Sequence, residues 1–154
     1  MPMRIIRDRL RARKSERGIA VVQFAFLTPI LIMLFLGTWS LGYSGYVYAE
    51  LEDAVRAGAR YASLITYDGA NTASYATAVK NVVVYGDPAG GSTAIVPGLS
   101  TSQVNVVISP ATGEPTSVTV SITGYSLRTM FMTNFTLTNK PWLTIPFLGH
   151  YVPA

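Results

Sequence analysis

The sequence predicts an α+β protein in which a long N-terminal transmembrane helix continues into a small outer domain with an antiparallel sheet. Three observations carry this reading. No Asp, Glu, Lys or Arg stands between Arg17 and Glu50. Apolar residues then recur at intervals of three or four from Leu51 to Ile65. Farther on, residues 104–109 and 117–123 alternate apolar and polar side chains. A bilayer demands the first pattern, one helix face the second and half-buried strands the third. The organisation that follows is a basic leader over 1–18, a transmembrane and extended helix over 19–64, and an extracytoplasmic α+β domain over 65–154.

The leader holds seven cations, Arg4, Arg7, Arg9, Arg11, Arg13, Lys14 and Arg17, offset only by Asp8 and Glu16, for a net charge of +5 in seventeen residues. Short flanks rich in Lys and Arg stay in the cytoplasm, which orients residues 50 onward outward. With the leader set aside, five basic residues face six acidic ones. The chain's charge of +4 therefore reflects topology. Nucleic-acid binding needs a basic surface interleaved with stacking aromatics, whereas Arg56, Arg60, Lys80, Arg128 and Lys140 are dispersed, so no nucleic-acid partner is expected. Cysteine is absent, which excludes disulfides, thiolate metal sites and thiol catalysis.

A helix from Ile19 to Tyr48 is about 45 Å long against a hydrocarbon core of about 30 Å, so it emerges from the bilayer before it ends. Trp39, Tyr43, Tyr46 and Tyr48 stand where the chain meets the outer interface, the level amphipathic rings prefer. Pro29 removes a backbone donor and predicts a bend or an altered hydrogen-bond ladder near Ala25 to Pro29. Val47-Tyr48-Ala49 before Glu50 resembles a signal-peptidase site, but the apolar run far exceeds the roughly 7 to 15 residues of a signal. The segment reads as a retained anchor.

Beyond the membrane, Leu51, Ala54, Val55, Gly58, Tyr61, Ala62 and Ile65 form a helical stripe that extends the helix to about Leu64. Glu52 lies four residues before Arg56, a supporting pair. Small residues at 54, 57, 58, 59 and 62 admit close approach of another element. Asp68-Gly69 marks a break, Ala73 to Lys80 a short helix, Asn81 to Tyr85 a strand, and the Gly-, Pro- and Ser-rich run 86–102 a loop. The strands at 104–109 and 117–123 close a hairpin through 111–115 around Gly113. Tyr125, Leu127, Met130 and Phe131 extend the last strand or cross the helix. In the tail from Asn139, Pro141, Pro146 and Pro153 forbid a regular helix. Its apolar residues either cap the sheet in extended form or make an exposed contact.

Arg17-Gly18 followed by Ile19-Ala20-Val21-Val22-Gln23-Phe24, then the apolar stretch with Pro29, resembles the opening of TadE-like proteins, minor pilins or pseudopilins of the tight-adherence type IV pilus system. Residues 51–62, Leu-Glu-Asp-Ala-Val-Arg-Ala-Gly-Ala-Arg-Tyr-Ala, resemble that family's second signature, with Ala57 where Glu is common. The resemblance implies cleavage after Gly18 by a prepilin peptidase, leaving Ile19 as the new N-terminus. It also implies assembly contacts through Gln23, Phe24 and Pro29, and domain or subunit contacts through Arg56, Gly58, Arg60 and Tyr61. The fifth mature residue is usually Glu, whose carboxylate meets the freed α-amine of a neighbour; Gln23 keeps the hydrogen bond and loses the charge.

No enzyme chemistry is legible. His150 is the single histidine, the acidic residues lack calcium-loop spacing, Gly86 to Gly91 lacks a phosphate-loop Lys, and no nucleophile elbow appears. Neither a catalytic residue, a metal nor a cofactor is expected. Asn134-Phe135-Thr136 fits a glycosylation sequon, a pattern that short sequences match by chance. The expected role is a membrane-anchored minor pilin-like structural subunit assisting assembly of a tight-adherence pilus or related secretion system. Its partners would be the prepilin peptidase, other pilins, the inner-membrane pilus assembly platform and the lipid bilayer. Its expected place is the bacterial inner membrane, single-pass, with the N-terminus cytoplasmic. The different-class reading is a membrane-anchored extracytoplasmic ligand-binding module that never enters a filament.

Overall fold

The computed structural model describes residues 3–110, 113–127 and 134–153, with 3–17 described by their backbone. Two compact units result, Met1–Leu41 and Gly42–Ala154. One helix, α1 (Met3–Leu64), contributes to both. Then come β1 (Tyr67–Asp68), α2 (Thr72–Tyr85), a short 3₁₀ turn (Thr101–Gln103), β2 (Val104–Ser109), β3 (Ser117–Ile122), β4 (Tyr125–Leu127), β5 (Phe135–Leu137), β6 (Trp142–Pro146) and β7 (Tyr151–Val152).

In the first unit the described side chains of α1 from Ile19 to Leu41 are predominantly apolar and exposed. Among the described residues Gly18–Leu64 is the helical stretch long and apolar enough to cross a membrane. Helical structure persists through Pro29. Beside the proline, the Thr28 hydroxyl donates to the Phe24 carbonyl at 2.7 Å, a local bond that takes up one ladder acceptor.

In the second unit Val47, Leu51, Ala54, Val55, Ala59 and Ala62 of α1 are buried, the face that the three-four spacing draws. They share one core with Tyr75, Val79 and Val83 of α2 and Val104, Val118, Val120 and Ile122 of the sheet. The expected strand at 81–85 is instead the last part of α2. Tyr75, Val79, Val82 and Val83 recur at helical spacing and all are buried. Packing of that face outweighs the modest preference of valine for strands. Gly86 ends the helix in the left-handed region at φ 77°, its N–H bonding the Val82 carbonyl at 2.9 Å, a conformation that glycine adopts without a Cβ penalty.

The expected single sheet is replaced by three small ones, ordered β2-β3-β6, β4-β5 and β1-β7. β3 pairs antiparallel with β2 and with β6, while β1 and β7 run parallel. Val106, Val120 and Leu143 align across the inner face of the largest sheet, and Asn105, Ser121 and Trp142 across its outer face. Tyr125–Leu127 does not extend β3 but pairs with β5; Arg128, Met130, Phe131 and the first residues of the hairpin turn lie outside the described residues. The proline-bearing tail supplies both β6 and β7. It therefore adds a strand to the sheet and returns to the end of α1.

The carbonyls that a helix C-terminus leaves unpaired find partners here, one of them from that returning tail. The Tyr61 carbonyl accepts from Ile65 N–H at 3.2 Å and the Ser63 carbonyl from Leu148 N–H at 2.9 Å. Between them the Ala62 carbonyl accepts from the buried Tyr75 hydroxyl at 2.5 Å. Tyr67 packs edge-on to Tyr75, with ring centroids 5.1 Å apart, and stacks on Tyr151 at 6.1 Å. Burial, helped by Tyr67, pushes the Tyr75 phenol from 10.0 up to about 12. A raised folded pKa stabilises the fold below the unfolded value and loses that contribution as pH rises through the folded one. Stability should thus hold to about pH 10 and fall toward about pH 12. Tyr75→Phe should cost about 1–2 kcal/mol at neutral pH and blunt the alkaline loss, read by denaturant melts across pH. A variant as stable as the parent at neutral pH would refute the capping role.

Candidate functional site

The residues singled out from the sequence fall in two groups, one in each unit. Gly18, Ile19, Gln23, Phe24 and Pro29 are all exposed on the apolar part of α1. Among the described residues, a methyl group at Gly18 would meet nothing within 4 Å beyond its own stretch of helix. Gln23 and Phe24 line a shallow groove with Ala20, Leu27 and Ile30. Gln23 is the polar member of that lining. In lipid an amide is far less costly than a carboxylate, and in a helix–helix contact it both donates and accepts.

The second group lies where α1 belongs to the folded unit. Gly58 is buried, and a Cβ there would stand 2.2 Å from Val83 Cγ2. Glycine is needed for α2 to lie this close. Tyr61 is half-buried against the core. Arg56 turns outward and pairs with two carboxylates of its own helix, Glu52 at 3.1 Å and Asp53 at 2.8 Å. Exposed pairs of this kind stabilise by about 0–1 kcal/mol, so the ion pairs of Arg56 add modestly to the helix surface. Arg60 is exposed and, among the described residues, has no ion-pair partner.

Each unit thus shows an exposed surface of α1, an apolar one in the first and, beside the buried face, a charged one in the second. The comparison with known families falls on this helix. Residues 18–60 are similar to TadE-like proteins. The TadE-like segment opens at Gly18 and closes at Arg60, so it spans both groups of residues and stops before the break that precedes β1. Neither curated proteins nor solved structures yield a match to the chain.

Among the described residues no three His, Cys, Asp or Glu side chains converge, and His150 is exposed, its carbonyl accepting from Tyr67 N–H at 2.8 Å. The sequence reading missed the outer face of the three-stranded sheet, where an open cleft of about 490 Å³ is bordered by Trp142, Asn105, Thr119 and Lys140. The available signal was the alternation of residues 142–146, exposed and half-buried in turn, which the flanking prolines obscured.

Proposed function

We propose that the chain is a membrane-anchored, minor pilin-like structural subunit that assists assembly of a tight-adherence pilus or related secretion system. The observation that carries this reading is the coincidence of the TadE-like segment with a helix that is predominantly apolar and exposed from Ile19 to Leu41. An apolar helix of that kind is stable either in lipid or against other apolar helices. Transfer from one to the other is the step a pilin subunit makes. In this reading a prepilin peptidase on the cytoplasmic side removes residues 1–18, the helix from Ile19 packs with other pilins, and residues 65–154 face outward. The inner-membrane assembly platform then extracts the subunit from the bilayer.

The deciding experiment is the mature N-terminus, by intact mass and terminal sequencing, after membrane expression beside the native prepilin peptidase. Ile19 as first residue supports the proposal; a persistent Met1 or Met3 would refute it and leave a membrane-anchored module. At the assembly contact, Gln23→Glu restores a carboxylate able to pair with a neighbour's α-amine. Co-purified pilus components should rise about fivefold, the ratio that roughly 1 kcal/mol of ion pairing gives. Unchanged yield would remove residue 23 from the contact.

A further inference from the structure

Trp142 is 60% exposed on the outer face of the three-stranded sheet, although the next residues, Leu143 and Ile145, pack on the core from the same strand. Among the described residues the indole is the one aromatic side chain in the cleft on that face, whose other lining residues are polar apart from Val107. Its cross-strand row is Asn105–Ser121–Trp142, and the adjoining row on that face is Val107–Thr119–Thr144. Thr119 and Thr144 hydroxyls lie 2.7 Å apart. Beside the rows, Lys140 is placed by its N–H bond to the Ile122 carbonyl at 3.0 Å. It follows Asn139, whose backbone is left-handed at φ 52° and whose side-chain Oδ1 accepts from the Thr123 hydroxyl at 2.8 Å.

Asn105, Val107, Thr119, Ser121, Lys140 and Trp142 are among the residues that border the cleft of about 490 Å³, within the roughly 300–1,000 Å³ range of small-ligand sites. Its composition selects among ligands. Asn, Ser and Thr both donate and accept, as sugar hydroxyls do. The indole presents an electron-rich face to the weakly positive C–H groups on one side of a pyranose ring. Lys140 is the one ionisable residue of the lining, and no carboxylate opposes it. Arg56, which borders the ring in a neighbouring hollow, is already paired with Glu52 and Asp53.

We propose that this cleft binds a uronic-acid saccharide. One pyranose ring stacks on Trp142, Asn105 and Thr119 exchange hydrogen bonds with its hydroxyls, and the Lys140 ammonium pairs with the carboxylate. The site lies outside the TadE-like segment and stands whether or not the chain enters a filament.

The test uses the full chain in detergent with Trp39→Phe, which leaves Trp142 as the sole indole. The probes are oligogalacturonate, oligomannuronate and their uncharged methyl esters. At least one uronate should shift Trp142 emission saturably, with its ester binding about tenfold more weakly, the loss expected for one charge-assisted contact. Lys140→Gln should lower uronate affinity by the same factor and leave ester affinity unchanged, with an unaltered melting temperature. By calorimetry, Trp142→Ala should abolish binding and Trp142→Phe retain most of it. Failure of both uronates to bind, or equal affinity for acid and ester, would overturn the proposal. So would self-association that Trp142→Ala abolishes in a chain that binds no uronate, which assigns the face to a second copy.

Discussion

Gly18→Ala is expected to leave the basic leader attached and to reduce the processed form from most of the chain to background. The variant isolates recognition from folding. A methyl group at residue 18 meets nothing within 4 Å, and alanine favours a helix by about 1 kcal/mol over glycine. The substituted helix is therefore at least as stable as the parent. Loss of processing would report the need of a peptidase for an unsubstituted residue at the scissile bond. The retained leader also keeps seven cations against two acidic residues, on the cytoplasmic side in the proposed orientation. Charges of this number do not cross lipid at tolerable cost, so pilus-associated chain should fall with processing. An N-terminal tag on the variant should survive protease added to sealed spheroplasts while residues 65–154 are digested. Equal maturation of variant and parent would refute the peptidase reading, and digestion of the tag would refute the orientation.

Gly58→Ala should destabilise the Gly42–Ala154 unit, and Gly58→Val should prevent it from folding stably. The added Cβ stands 2.2 Å from Val83 Cγ2 and 3.7 Å from the Val79 carbonyl oxygen, so α2 must shift or Val83 must leave its rotamer. Overpacking of this kind costs about 1–3 kcal/mol. The gain in helix propensity offsets about 1 kcal/mol of it, which leaves a net loss of up to about 2 kcal/mol for alanine and more for the branched side chain. For a unit of this size that lowers the melting temperature by several degrees. Val83→Ala removes the atom in the way at its own cavity cost, so Gly58→Ala should cost much less in the Val83→Ala background than in the parent. Additive effects in that cycle would show that the two positions do not touch.

The same pair of residues shows where the sequence is legible and where it is not. Small residues from Ala54 to Ala62 announced that something approaches α1, and Gly58 is where it does. The approaching element was misread, because Val82-Val83-Val84 has the composition of a strand. Its helical spacing shows only when Tyr75 and Val79 are read with it. The hairpin strands β2 and β3 were legible because their period-two pattern and the turn between them are local. Of the residues proposed for contacts, Arg56 is engaged within its own helix, whereas the outer-face row ending in Trp142 was invisible because its members come from three strands.

The apolar run, its basic flank and the three-four stripe are properties of neighbouring residues, so the order of amino acids alone determined a long helix, a span of membrane length and the face that α1 buries. Pairing between distant segments was decided only by the tertiary structure. Tyr151 against Tyr67, Leu148 against Ser63 and Trp142 against Ser121 join residues whose own neighbourhoods look alike before they meet. The physical reason is that a strand or a helix end offers the same N–H and C=O groups to any partner. Which partner it takes depends on where the core of α1, α2 and β3 holds each end of the chain.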